Sequence, residues 1–185
     1  MRLPFERTIK AYLKEMRLRR LLNEENWRFS NRRARLLINE YQEWRAFYLP
    51  ISVKGLTVLD IGAGEGETAK LFLDHGASKV ICIEPYEKAF RYLKENAIKN
   101  NIIPLFKKFE LRDFTDNQFD FLKMDIEGYE EILLEAKVEL ECPAVIEVHG
   151  MQLWDRFSKA GWRIKYRDNF INCGYDCVCY AYWKC

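Results

Sequence analysis

The chain has 185 residues, of which 49% are hydrophobic and 31% are charged, and this balance is typical of one folded globular domain. The composition excludes a disordered chain, and no apolar run is long enough to predict a membrane-spanning helix. The amino-terminal residues are charged throughout and lack the apolar core of a signal peptide, so we expect a cytoplasmic protein.

Residues 1–50 form a basic segment, with 12 Lys and Arg against 6 Asp and Glu. Apolar residues at three- and four-residue steps predict two helices over residues 5–48, which are joined near Ser30 and ended by Pro50. We expect these helices to form an extension packed on the main body, close to the mouth of a ligand site. A basic surface of this kind also suits nucleic acid or another anionic partner.

From residue 51 onward, predicted strands and helices alternate, which is the signature of an α/β domain with a mostly parallel sheet. Strands are predicted at 57–61, 79–83, 102–109, 119–124, 144–148, 162–167 and 177–183, the last two as an antiparallel hairpin. Helices are predicted at 67–74, 86–100, 129–136 and 151–160.

A glycine-rich turn follows the first strand, in the sequence Asp60-Ile61-Gly62-Ala63-Gly64-Glu65-Gly66-Glu67. Such a turn between a strand and a helix makes a nucleotide pocket at the carboxyl end of the strand. The G-x-G-x-G spacing differs from the dinucleotide pattern, and Glu67 would repel a pyrophosphate, which argues against an NAD-dependent enzyme. The acidic loop suits a ligand with a cationic amino-acid end, such as S-adenosylmethionine (SAM).

This turn resembles motif I of the class I SAM-dependent methyltransferases. The resemblance implies cofactor contacts from the turn, which we assign to Asp60, Gly62, Ala63, Gly64, Glu65 and Gly66. Glu84 follows the second strand and fits the acid that binds the two ribose hydroxyls, with Pro85 and Tyr86 beside it. In the loop after the third strand, Asp113 and Phe114 fit by position the residues that contact adenine.

A second motif spans the fourth strand and its loop, in the segment Phe121-Leu122-Lys123-Met124-Asp125-Ile126-Glu127-Gly128-Tyr129-Glu130. Its pattern K-x-D-x-E-G-x-E resembles the FkbM family of methyltransferases, which is mostly linked to O-methylation, often of sugars or natural products. With motif I, the resemblance covers roughly residues 55–150. It implies a methyltransferase domain over residues 51–185, with a Rossmann-like seven-stranded sheet in the order 3-2-1-4-5-7-6 and strand 7 antiparallel.

Asp125, Glu127 and His149 are the candidate catalytic residues, and Asp125 is also assigned to the cofactor site. If the two neighbouring strands are in register, Lys123 pairs with Glu147, and Asp125 pairs with His149 at the edge where substrates bind. An imidazole oriented by a carboxylate could then take the proton of an acceptor hydroxyl. Two alternatives stay open, because Asp125, Glu127 and His149 could hold a divalent metal ion, or Glu127 could only shape the turn.

The chain contains six cysteines, and four of them are close to the carboxyl end: Cys173, Cys177, Cys179 and Cys185. Without an export signal, we expect free thiols. Cys177 and Cys179 lie on one face of a predicted strand, which favours packing against the sheet over a zinc site.

The sequence therefore predicts an enzyme that uses SAM to methylate an oxygen of a small hydroxylated or sugar-like acceptor. An RNA or DNA methyltransferase is a second hypothesis, but the loop after the fourth strand has neither an Asp/Asn-Pro-Pro-aromatic motif nor a catalytic cysteine. The acids of that loop would also repel a phosphate backbone. A non-catalytic SAM-binding partner subunit is the third hypothesis.

Overall fold

A seven-stranded sheet organises the chain in the computed structural model, which describes Met16 and residues 27–166 and 178–185. The helices are α1 (Asn31–Tyr48), α2 (Glu67–Asp74), α3 (Glu87–Ala97), α4 (Asp113–Asp116), α5 (Ile132–Glu135) and α6 (Met151–Lys159). The strands are β1 (Thr57–Ile61), β2 (Lys79–Ile83), β3 (Ile102–Leu105), β4 (Phe121–Met124), β5 (Ala144–His149), β6 (Arg163–Tyr166) and β7 (Val178–Trp183). Among these elements, no helix is long and apolar enough to cross a membrane.

The strand order is β3-β2-β1-β4-β5-β7-β6, which confirms the order implied by the family resemblance. Strands β1 to β5 pair in parallel, whereas β7 runs antiparallel to both β5 and β6. The predicted hairpin of the last two strands is therefore also confirmed. Strands β1, β2 and β4 are almost entirely buried, as expected for central parallel strands covered on both faces.

Two apolar clusters fill the space on the two faces of the sheet. One includes Leu93 of α3 together with Phe47 of α1, and the other includes Leu133 of α5 and Phe157 of α6. Phe47 stacks on Tyr180 of β7 with ring centroids 4.2 Å apart, so α1 shares the core of the sheet. The boundary at residue 50 stays a prediction, and most of the first predicted amino-terminal helix lies outside the described residues.

Several elements differ from the prediction in length or existence. Strand β3 ends at Leu105 rather than at residue 109, because its partner β2 ends at the paired residue Ile83. Helix α5 is limited to four residues, and the short helix α4 was not predicted. One turn of helix carries too few residues for an apolar period to be read from the sequence.

The predicted pairing of Lys123 with Glu147 is wrong. Lys123 lies opposite Val145 on β5 and opposite Asp60 on β1. Its Nζ is 3.0 Å from Asp60 Oδ1 and donates to the Gly62 carbonyl oxygen at 2.9 Å. One carboxylate is enough to neutralise a buried lysine. Asp60 on β1 therefore neutralises Lys123, a role that the prediction gave to Glu147 on β5.

The cysteines in the described part of the chain, Cys82, Cys142, Cys179 and Cys185, are free thiols. Cys179 is buried in β7, and burial raises its pKa to about 12, so the thiol serves as an apolar core group. Cys173 and Cys177, which the zinc alternative requires, lie outside the described residues.

Candidate active site at the carboxyl edge of the sheet

A pocket of about 580 Å³ opens where the carboxyl ends of β1, β2 and β4 meet. Its floor includes Gly62 after β1, Glu84 after β2 and Asp125 after β4. Helix α1 forms one wall. The volume falls within the range of small-molecule sites, which is about 300–1,000 Å³, and the position is where ligands bind to open α/β sheets.

The backbone of the glycine turn can border the pocket because Gly62 and Gly64 adopt left-handed conformations. The φ angles are +76° at Gly62 and +57° at Gly64. A Cβ atom on Gly62 would lie 1.7 Å from the Asp125 carbonyl oxygen, and one on Gly64 would lie 2.8 Å from Glu67 Oε2. The turn therefore packs against the loop after β4 at a distance that a side chain would prevent.

Only three of the six motif I residues that we predicted to contact the cofactor line the pocket. Gly62, Ala63 and Gly64 line it, whereas Asp60, Glu65 and Gly66 do not. Asp60 has no exposed surface, because its Oδ2 accepts a hydrogen bond of 2.5 Å from Thr68 and its Oδ1 faces Lys123.

Glu65 turns toward α1, where its Oε2 accepts a 2.6 Å hydrogen bond from the Ser30 backbone nitrogen. Gly66 is the N-cap of α2, and its backbone packs near Leu93 and Trp27. Asp60, Glu65 and Gly66 thus hold the turn in place from behind the pocket lining, and the direct cofactor contacts predicted for them stay a prediction.

Glu84 lies where the ribose-binding acid was predicted, at the carboxyl end of β2. Its Oε2 accepts a hydrogen bond of 2.8 Å from the Gly64 nitrogen, and its Oε1 accepts one of 2.6 Å from the Tyr86 nitrogen. Burial raises the pKa of Glu84. Pro85 and the exposed ring of Tyr86 continue the pocket wall beyond it. The carboxylate is thus fixed by backbone amides while it still borders the pocket.

Asp113 and Phe114 lie away from the pocket, contrary to the prediction. Asp113 is buried and forms an ion pair of 2.8 Å with Lys107. Phe114 packs against Phe109 and Phe119, beside a second groove near the amino ends of β1 and β2. The prediction placed the end of β3 at residue 109, but the strand ends at Leu105. Residues 113 and 114 therefore lie further along the loop than the adenine-contacting positions that follow the strand.

Helix α1 lies beside the ligand pocket, as expected of the amino-terminal extension, but the residues that form its wall were not assigned from the sequence. The wall residues recur every four positions and form one stripe along the helix: Arg32, Leu36, Glu40, Trp44 and Tyr48. The helical spacing was visible in the sequence, but it did not reveal which element the stripe would face. Arg33 also borders the pocket, and its Nε is 3.2 Å from Glu67 Oε1. Burial nevertheless raises the pKa of Glu67 to about 7.

A cluster of carboxylates surrounds His149 at the end of β5. The imidazole Nδ1 is 3.1 Å from Glu130 Oε1, which also accepts hydrogen bonds from the Ile126 and Gly128 nitrogens. On the other side of the ring, Nε2 is 3.9 Å from Asp125 Oδ1 and 3.7 Å from Glu127 Oε2. The structure therefore brings together all three predicted catalytic residues. It adds Glu130, whose position in the K-x-D-x-E-G-x-E motif was noted without a role.

The charge state of His149 limits what the imidazole can do. Burial disfavours its cationic form, but the hydrogen bond to Glu130 and the nearby carboxylates outweigh burial and raise its pKa to about 9. The ring is therefore a cation near neutral pH and has no free lone pair with which to accept a proton. The predicted role of general base thus requires an alkaline pH or a change in the surroundings of the ring.

Glu147 and Tyr48 close the pocket between β5 and α1. The Tyr48 hydroxyl donates a short hydrogen bond to Glu147 Oε2. Burial and the charge of Asp125 raise the pKa of Glu147 to about 7. Glu147 therefore anchors α1 to the sheet, in place of the ion pair with Lys123 that the sequence predicted.

The chain is similar to known methyltransferase domains in two overlapping regions. Residues 59–124 match a model described as a methyltransferase domain, and residues 103–176 match the methyltransferase FkbM domain. The ribosomal protein L11 methyltransferase of Thermotoga neapolitana is 28% identical over 120 residues, which are 60% of this chain and 45% of that protein. The chain thus spans less than half the length of the L11 methyltransferases that it matches.

Two further similarities cover larger shares of the proteins compared. Uncharacterized protein 158B of Sulfolobus islandicus rod-shaped virus 1 is 33% identical over 113 residues, which are 57% of this chain and 70% of that protein. The crystal structure of Aeropyrum pernix fibrillarin with bound SAM superposes with a TM-score of 0.52 at 18% identity, over 72% of this chain and 69% of that one. At this identity the structural likeness concerns the fold.

Proposed function

This chain belongs to the class I SAM-dependent methyltransferases and to the same family as the viral protein 158B, and from this premise we propose that it methylates a hydroxyl group of a small acceptor. The proposal assigns the cofactor to the part of the pocket between the glycine turn and Glu84. It assigns the acceptor to the neighbouring part, between α1 and the carboxylates around His149. The observation that supports this proposal most directly is the cluster of carboxylates around His149, which lies beside a pocket large enough for SAM.

The residues of the pocket fit SAM. The backbone of Gly62 and Gly64 is open to a close approach, and the Glu84 carboxylate is in position to accept hydrogen bonds from ribose hydroxyls. Tyr86 offers an exposed ring at the rim. When bound, SAM supplies a methyl group on a sulfonium, and the electron pair of the breaking carbon–sulfur bond stays on sulfur as the acceptor oxygen attacks.

The chain's contribution to such a reaction is mainly to position the acceptor. The carboxylates of Asp125 and Glu127 can accept hydrogen bonds from acceptor hydroxyls. Trp44 and Leu36 of α1 add apolar surface on the facing wall. An acceptor rich in hydroxyl groups and free of phosphate suits this combination, because the acids would repel an anion.

A nucleic acid is the second candidate acceptor. Arg32 and Arg33 lie on the pocket wall formed by α1, and they belong to the basic segment of residues 1–50. In this alternative, residues 1–50 would act as an extension that binds phosphates. Binding to RNA or DNA that weakens steeply between low and physiological salt would favour it over a small acceptor.

We expect Glu84→Gln to weaken SAM binding at least tenfold, which corresponds to about 1.4 kcal/mol. The amide keeps the shape of the side chain but replaces one of the two carboxylate oxygens with a hydrogen-bond donor. Calorimetric titration of SAM into purified protein measures the effect, and a screen of hydroxylated compounds for methyl transfer then tests the acceptor.

Glu87→Gln is the matched control, because Glu87 lies three residues further along and its side chain is 67% exposed. Its SAM affinity should equal that of the unchanged protein. If the unchanged, folded protein binds no SAM, or if both variants bind it equally well, the assignment of this pocket is wrong.

A further inference from the structure

Two carboxylate oxygens next to His149 are buried without a hydrogen-bond partner in the described part of the chain. They are Asp125 Oδ1 and Glu130 Oε2. The Glu130 side chain has no exposed surface at all. An unpartnered buried carboxylate oxygen is costly, since it has lost its water without gaining a protein donor. A bound cation would satisfy both atoms, and the surrounding side chains do not supply one.

The nearby cations of the described chain do not meet that need. Lys123 is already bound to Asp60 and to the Gly62 carbonyl oxygen. His149 Nδ1 faces the other oxygen of Glu130, and its Nε2 is 3.9 Å from Asp125 Oδ1, which is longer than a hydrogen bond. Three carboxylates and one imidazole leave the cluster negative even when the ring is protonated and one acid is neutral.

The side chains of this cluster lie close enough together to serve as ligands of one small divalent ion. Asp125, Glu130 and His149 each offer one ligand atom, and the three atoms lie within 4.8 Å of one another. Ligand atoms bound at about 2.1 Å to an octahedral ion are roughly 3.0 Å apart when adjacent and about 4.2 Å apart when opposite. An imidazole binds one ion through one nitrogen, and the 3.1 Å between His149 Nδ1 and Glu130 Oε1 matches the separation of adjacent ligands.

We propose that Asp125, Glu130 and His149 form a binding site for one divalent metal ion, beside the pocket assigned to SAM. A set of two carboxylates and an imidazole suits Mn²⁺ and related transition-metal ions better than Ca²⁺, because Ca²⁺ prefers oxygen ligands alone. Glu127, whose side chain is 86% exposed and whose Oε2 is 3.7 Å from His149 Nε2, can reach the same ion from the rim.

The metal site deepens the proposed function and rests on it for its role. An acceptor hydroxyl bound to the ion would have a lowered pKa, so its proton passes to water and its oxygen is left as the nucleophile. This arrangement removes the need for His149 to act as a base, and the ion would take the place of the proton that the imidazole otherwise carries near neutral pH. The site also explains why the loop after β4 carries acids on both sides of the imidazole.

Titration with Mn²⁺ alone tests the metal site without any acceptor or SAM. We expect one ion to bind per chain, and we expect Asp125→Asn and Glu130→Gln each to weaken binding at least tenfold. Glu131→Gln is the matched control, since this neighbouring acid is 42% exposed and pairs with Arg156. Mn²⁺ rather than Zn²⁺ is the probe because the free thiols would bind zinc.

A second measurement uses the unchanged protein and so does not depend on the folding of any variant. The chain has two histidines, and His75 lies at the far end of α2. Paramagnetic Mn²⁺ should broaden the ring resonances of His149 at concentrations that leave those of His75 sharp. Equal broadening of both rings, the absence of saturable binding, or equal affinity in all three variants would overturn the metal site.

SAM titration in the presence of a chelator separates this proposal from the proposed function. Mn²⁺ binding without any SAM binding would leave the metal site standing and refute the methyltransferase role. Methylation that continues unchanged in the chelator, with no Mn²⁺ bound, would refute the metal site alone.

Discussion

Replacing Gly62 with alanine is expected to destabilise the protein by roughly 2–5 kcal/mol and to abolish SAM binding. The estimate combines about 1–2 kcal/mol for a left-handed non-glycine residue with about 1–3 kcal/mol for overpacking. The added Cβ would lie 1.7 Å from the Asp125 carbonyl oxygen, so the turn after β1 and the loop after β4 must separate. Urea unfolding and calorimetric titration of SAM measure the two effects.

Gly55→Ala provides the control for the backbone conformation alone. Gly55 has a φ of +80°, close to the +76° of Gly62, but a Cβ at this position would meet no atom within 4 Å. We expect this substitution to cost about 1–2 kcal/mol and to leave the SAM affinity unchanged. Equal losses in the two variants would mean that the close approach of Gly62 to Asp125 does not exist.

The second large effect is expected from Lys123→Met, which should lower the free energy of unfolding by about 3–5 kcal/mol. Lys123 and Asp60 form an ion pair in which the two side chains are 1% and 0% exposed. Removal of the lysine leaves the Asp60 carboxylate buried with Thr68 as its remaining hydrogen-bond donor. The loss should appear in urea unfolding monitored by tryptophan fluorescence.

The double substitution Lys123→Met with Asp60→Asn should recover part of this loss, because no unpaired charge then stays in the core. Lys159→Met tests whether any lysine would give the effect, since Lys159 forms an exposed ion pair with Asp155. It should change stability very little. A double variant that is less stable than Lys123→Met would show that the two residues are not coupled in this way.

The case of Asp60 shows how far a motif can be interpreted without the structure. The sequence located the turn after β1 and the acid before it. It could not show that this acid, on a central strand between β2 and β4, turns into the core and pairs with Lys123. Glu84 differs because it follows the last residue of its strand, where the side chain borders the pocket.

The alternation of strands and helices was accessible to sequence reasoning because each central strand is an apolar run. Contacts between distant segments were not accessible. The stripe on α1 faces the pocket because Glu65 binds Ser30 at one end of the helix and Glu147 binds Tyr48 at the other. Both acids had been given other roles, since neither contact leaves a local pattern in the sequence.

Strand β7 lies between β5 and β6, although it is the last of the three in the chain. During synthesis, β5 therefore leaves the ribosome with one edge unpaired and keeps it until residues 178–183 follow. Through this interval the backbone of Glu147 and His149 has no ladder partner on that side, since these residues pair only with Tyr180 and Val178. The side of β5 that later pairs with β7 is thus completed late in translation. Until then, a chaperone or another unfolded chain can contact this side of β5 before β7 does.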